Sequence, residues 1–208
     1  LRYTEISGFT ALAGAEEGIT PAAVEASNPT MILDNAGLPV IAWQQVAALN
    51  EIHVERLVNE TFIPIDPPRV TGFGIAGGDS STPALAVDDS NRILLVWREA
   101  VAGQGEVYGQ RLHDGVWQAL AGSDTAGGLS NTPTESYLPK AVASLETVWV
   151  CWQEEVNNVS QIYAKSLDGS WREIDSSATA SGLSAISNGG QNPAILLNRL
   201  KAPVIAWN

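Results

Sequence analysis

Apolar and polar residues alternate along this chain in short bursts, and the bursts recur. Between residues 84 and 120, two runs are almost continuously apolar, 84–88 and 93–98. A third, 106–112, alternates more, and a fourth, 117–120, opens on Trp117. Turn formers separate them: Asp89-Ser90-Asn91, Gly103-Gln104-Gly105 and Asp114-Gly115. Runs this short, bounded by Gly, Asp and Asn, predict β-strands, and no segment shows the 3.6-residue period of a helix. Each unit is expected to hold four antiparallel strands, the first two covered on both faces and the third half exposed.

The same pattern occurs four times. Asn28-Pro29, Thr82-Pro83, Leu138-Pro139 and Asn192-Pro193 each lead into a first strand, and the prolines are 54, 56 and 54 residues apart. Trp43, Trp97, Trp152 and Trp207 each close a second strand, at intervals of 54, 55 and 55. About ten residues later come Ile52-His53-Val54, Val107-Tyr108-Gly109 and Ile162-Tyr163-Ala164, then an aromatic at Phe62, Trp117 and Trp171. Gly18-Ile19-Thr20, Gly128-Leu129-Ser130 and Gly182-Leu183-Ser184 mark the joins. Four-stranded units repeated at this period predict an all-β fold, a β-propeller of four roughly 54-residue blades. The prolines are expected at the first residue of the innermost strand, where no ladder N–H is lost.

Arg2-Tyr3-Thr4 and Phe9-Thr10 match third and fourth strands, whereas Trp207-Asn208 ends a second strand. One blade is therefore expected to be completed by both termini. The blades fall approximately at 28–65, 82–120, 138–174, and 192–208 plus 1–13. A closed four-bladed ring satisfies this, and so does half of an eight-bladed ring made with a second copy; a fragment of a longer array is a third possibility.

The pattern Asn-Pro-x-apolar, turn, Pro39-Val40-Ile41-Ala42-Trp43-Gln44, then Ile162-Tyr163 and Asp168-Gly169-Ser170-Trp171 resembles repeats of large bacterial extracellular proteins regarded as sialidase-like or BNR-like β-propellers. The resemblance spans nearly the whole chain and implies a secreted or cell-surface location. Asp114-Gly115-Val116-Trp117 keeps only a shortened form of the sialidase Asp-box and reads as a hairpin turn with a Trp packed behind it.

Charge and chemistry narrow the function less. The net charge of −12, with no basic cluster, argues against nucleic acid. No run approaches the length of a membrane span, and no cofactor or metal motif is present. Cys151, the only cysteine, sits in the apolar run Val148-Trp149-Val150-Cys151-Trp152 and reads as a buried thiol. A sialidase site would gather arginines, but Arg56, Arg98, Arg111 and Arg172 look distributed among the repeats. No catalytic set stands out. Residues present in every repeat belong to the fold, including the polar pairs after the tryptophans, and function is sought on the joining loops 66–81, 122–137 and 175–191. Asp79, Glu135, Tyr137 and Asn188 are the candidate contacts. The expected function is a non-enzymatic binding or scaffold module meeting protein or glycan through these loops, with homodimerisation through the open blade as one of the ways the ring can close. The alternatives are a glycoside hydrolase of the sialidase-like superfamily and a purely structural repeat.

Overall fold

The computed structural model describes residues 2–4, 8–10, 18–20, 23–66, 78–175, 177, 182–185 and 189–208. Sixteen strands and no helix are found among them. β3 (Ala26–Leu33), β4 (Pro39–Gln45), β5 (Glu51–Val58) and β6 (Thr61–Pro64) form sheet 1. Sheet 2 holds β7 (Asp79–Val87), β8 (Ile93–Val101), β9 (Gln104–His113) and β10 (Val116–Ala119), and sheet 3 holds β11 (Ser136–Ala143), β12 (Val148–Val156), β13 (Val159–Asp168) and β14 (Ser170–Glu173). All three are antiparallel meanders in sequence order. β15 (Ala194–Leu197) and β16 (Pro203–Ala206) make a two-stranded sheet, as do β1 (Arg2–Thr4) and β2 (Gly8–Thr10).

The strands near the two ends form two separate two-stranded sheets, and no ladder joins them among the described residues. The last main-chain pair, Asn208 with Gln191 (2.8 and 3.1 Å), lengthens the β15–β16 ladder and holds the final residue on the β15 side.

The prolines sit differently from expectation. Pro29, Pro83 and Pro139 lie inside the first strands, within a bulge, with register shifts between Ser27 and Thr30, Ser81 and Ala84, and Tyr137 and Lys140, and Pro193 directly precedes β15. The residue before each proline takes a positive φ, 49° at Asn28, 46° at Thr82, 48° at Leu138 and 52° at Asn192. A bulge leaves one residue unpaired, so a proline is accepted mid-strand without removing a ladder bond. The repeated Asn/Thr/Leu-Pro pair is therefore the signature of the bulge.

Sheets pack face to face in sequence order. Val40, Ala42, Ile52 and Val54 of sheet 1 meet Leu85, Ile93, Leu95, Trp97 and Tyr108 of sheet 2. The far side of sheet 2, with Ala84, Ala86, Leu94, Val96 and Val107, meets Ala141, Ala143, Val148, Val150, Trp152 and Tyr163 of sheet 3. The first three repeat tryptophans each stack on the third-strand aromatic opposite: Trp43–His53 at 5.7 Å, Trp97–Tyr108 at 6.0 Å and Trp152–Tyr163 at 6.1 Å between ring centroids. His53 is thus a packing residue in the tyrosine position. The outer-strand tryptophans tie each sheet to the one before it, Trp117 Nε1 donating to Ile65 O and Trp171 Nε1 to Leu120 O. At the first hairpins, Asp34, Asp88 and Asn198 each accept two turn N–H groups through Oδ1, the side-chain capping expected of Asx turns.

Candidate functional site

Strand direction places the β8–β9 turn, the start of β11 and the connection from β10 to β11 at one end of the sheets. Here each sheet has a repeated pair of positions, directly opposed across the ladder between its second and third strands. They are Gln45 and Glu51 in sheet 1, Glu99 and Glu106 in sheet 2, and Glu154 and Gln161 in sheet 3. Only sheet 2 carries two carboxylates. Opposed residues have Cβ atoms about 4.5–5.5 Å apart, and like charges so placed repel.

The first position caps the tryptophan two residues earlier. Glu99 accepts from Trp97 Nε1 (2.7 Å) and Ser80 Oγ (2.6 Å), and Glu154 from Trp152 Nε1 (2.6 Å) and Thr134 Oγ1 (2.7 Å). Gly78 lies so close that a Cβ there would fall 1.9 Å from Glu99 Oε1, so a larger residue would have to displace this carboxylate. The second position holds the Gly-Leu-Ser join. Ser130 Oγ donates to Glu106 (2.5 Å) and accepts from Val107 N (2.8 Å), while Ser184 Oγ donates to Gln161 (2.7 Å) and accepts from Ile162 N (2.9 Å). A glutamine therefore serves this structural purpose as well as a glutamate does, and the acid in sheet 2 is an addition to the repeat. Glu106 is 5% exposed. Burial pushes its pKa up, the nearby Glu154 charge adds to this, and bonds from Ser130, Thr132 N and Gln104 oppose it.

Glu135 and Tyr137 converge beside it on Arg98. The guanidinium donates to Glu135 (2.5 Å) and Ser136 O (3.0 Å), and lies 5.2 Å from the Tyr137 ring centroid. Burial and the Glu135 charge raise the Tyr137 pKa. Glu135 also accepts from Gly105 N (3.1 Å), and Gln104 Nε2 reaches Glu106 Oε1 (3.4 Å), so both carboxylates are fastened to the β8–β9 turn. Asp79 stands apart, between sheets 1 and 2, where it accepts from Asn50 N (2.8 Å). That bond is the counterpart of Gly105 to Glu135, one repeat earlier. Asn188 lies outside the described residues.

The opposite end has a groove of about 320 Å³ between sheets 1 and 2, lined by Arg56, Ser90, Arg92, His113 and Asp114 among others. Its arginines are neutralised, Arg56 by Asp34 and Arg92 by Asp88. With Arg98 held by Glu135, none of these three guanidinium groups is left to receive a ligand carboxylate. No cluster of metal-ligating residues occurs among the described residues. The sequence reading overlooked Glu106 because its partner position is set by the ladder register. The available signal was that, at these two aligned positions, repeat 2 alone has Glu twice.

No family model matches the chain, and no curated protein sequence does. Solved structures do resemble it. The α-L-arabinanase of Penicillium chrysogenum complexed with arabinobiose superposes with a TM-score of 0.56 at 12% identity, over 90% of this chain and 59% of its own length. A family 117 glycoside hydrolase from the marine bacterium Zobellia galactanivorans gives 0.52 at 13%, over 93% and 64%. The Hadza microbial sialidase Hz136 gives 0.51 at 11%, over 70% and 36%. The chain spans less than two thirds of each of them, and at such identities the likeness is one of fold, the β-propeller type. The sialidase is one such relative among several glycoside hydrolases. The expectation of a non-enzymatic binding or scaffold module, in a chain read as a non-enzyme in preference to an enzyme, is contradicted: the solved structures that share its fold are mostly glycoside hydrolases. That expectation rested on finding no converging catalytic groups in the sequence, and folding brings Glu106 and Glu135 to one turn.

Proposed function

We propose that the chain carries a glycoside-hydrolase site at the loop end of the junction between sheets 2 and 3. The observation that supports it is the pairing of a buried acid of raised pKa, Glu106, with a partly exposed, ion-paired carboxylate, Glu135, on one turn. Cleaving a glycosidic bond with water needs one carboxylic acid to protonate the departing oxygen and one carboxylate to act at the anomeric carbon or on the water. Glu106 protonates the departing oxygen, Glu135 is the carboxylate, and the proton released by the incoming water returns the pair to its starting charge. Tyr137, stacked with Arg98, offers an aromatic edge for a sugar ring. Because Arg98, the arginine beside these carboxylates, is already ion-paired with Glu135, the substrate is a neutral glycan rather than a sialoside. Fold similarity to an arabinanase accords with this.

The test compares wild type with Glu106→Gln on arabinan, other neutral oligosaccharides and a sialoside, reading released reducing ends. Gln161 shows that glutamine keeps the serine bond, so the variant should fold. Hydrolysis of a neutral glycan should fall at least about 100-fold, the usual contribution of a general acid. Equal hydrolysis by both proteins would refute the assignment.

The sheets are read as successive blades of one propeller domain, 28–65, 82–120, 138–174, and 192–208 with 1–13. A secreted or cell-surface location suits an enzyme acting on a polymeric glycan.

A further inference from the structure

Two sheet faces in this molecule are apolar and uncovered, and the repeat shows what covers such faces elsewhere. On sheet 1, Met31 is 62% exposed and Leu33 57%. Their ladder counterparts in sheet 2 are Leu85 and Val87, and Leu85 is buried against sheet 1. On the β15–β16 hairpin, Leu196 is 56% exposed and Val204 45%. They pair across the ladder as Ala86 and Leu94 do in sheet 2, and those two residues are buried against sheet 3. One exposed face is therefore of the kind that receives a preceding sheet, and the other of the kind that receives a following sheet. That junction forms twice within the chain, between sheets 1 and 2 and between sheets 2 and 3.

We infer that these two faces bind each other between two copies of the chain. The β15–β16 face of one copy seats on the Met31–Leu33 face of the second, and the reverse contact closes the pair around a two-fold axis. The contact is head to tail, so it joins unlike patches, and only closure keeps it from propagating into a filament. Contiguous apolar surface of this kind is a mark of an interaction site. The inference continues a junction already present in the molecule and does not rest on the proposed activity.

Light scattering on the full chain tests it, with Met31→Glu and Leu196→Glu as separate variants. Both side chains are exposed, so the isolated fold should accept them. The wild type should have twice the 22.0 kDa chain mass. Each substitution alone should return it to a single chain mass, with unchanged circular dichroism. A wild type at the single-chain mass overturns the inference and means that the faces stay open or are covered from within the same chain. A dimer indifferent to both substitutions overturns it too, because the copies then meet elsewhere. So does a species that grows beyond two copies with concentration.

Discussion

Sheets 1 and 3 follow one plan and differ at the foot of their tryptophans. In sheet 3, Trp152 is buried against Tyr163 and its indole N–H donates to Glu154. In sheet 1, Trp43 is equally stacked on His53, but Gln45 replaces the glutamate and Trp43 Nε1 has no acceptor among the described residues. The stack recurs without the bond, so the ring's burial makes the fold, and the carboxylate is a local addition. Trp152→Ala should therefore lose about 3–5 kcal/mol in urea unfolding, as expected for truncating a buried large aromatic. Trp97→Ala should lose a similar amount; an unchanged midpoint in either would contradict the burial assigned to these rings.

Replacement by phenylalanine isolates the bond from the ring. Trp152→Phe removes a donor from Glu154, which is buried and among the described residues keeps only Thr134 Oγ1 as a hydrogen-bond donor. A buried acceptor short of a partner costs about 1–3 kcal/mol. Trp43→Phe strips away an N–H that is already unsatisfied and should cost less. Equal losses in the two variants would mean that the Trp152–Glu154 bond adds nothing to sheet 3.

The repeat was legible in the sequence because its signals are local. Tryptophan spacing, Asp-Gly turns and the tyrosine position each needed only the chain order, and His53 was placed correctly from alignment alone. Asn28-Pro29 and Thr82-Pro83 have the pattern of strand starts but occupy bulges inside β3 and β7, because a bulge depends on which residues the partner strand leaves unpaired. The same dependence hid the site. Glu135 and Tyr137 are legible in the sequence as loop residues, but their meeting on Arg98 is an inter-sheet contact that periodicity does not carry. Glu106 was overlooked because its second-strand partner, Glu99, is seven residues away and becomes its neighbour only through the hairpin register.

Sheets 2 and 3 differ in Glu106 against Gln161, and pH separates them. Burial raises the Glu106 pKa in the folded protein above its ordinary value of 4.5. The folded state then binds more protons than the unfolded state as pH rises from 4.5 through the folded value, and stability falls across that window. Glu106→Gln should remove this slope. It should be more stable than wild type at pH 7, and the difference should shrink as pH falls to about 4.5. Parallel stability curves for the two proteins would show that the buried carboxyl is not perturbed.

The smallest effect concerns Cys151, whose ladder position corresponds to Ala42 and Val96. Val96 shows that the position accepts a valine, so Cys151→Val should change stability by less than about 1.5 kcal/mol. The thiol itself reports on the junction between sheet 3 and β15–β16. Burial pushes its pKa up to about 12, so the reactive thiolate is scarce at pH 8 while the site stays closed. β15 packs on β11 and β12, and a lone two-stranded sheet is marginal in water. In a denaturant series, labelling of Cys151 should therefore begin before the tryptophan fluorescence of the stacked sheets changes, through local opening of that hairpin. Coincident midpoints would show that β15–β16 unfolds with sheet 3 as one unit, and that its uncovered face does not weaken its hold on the fold.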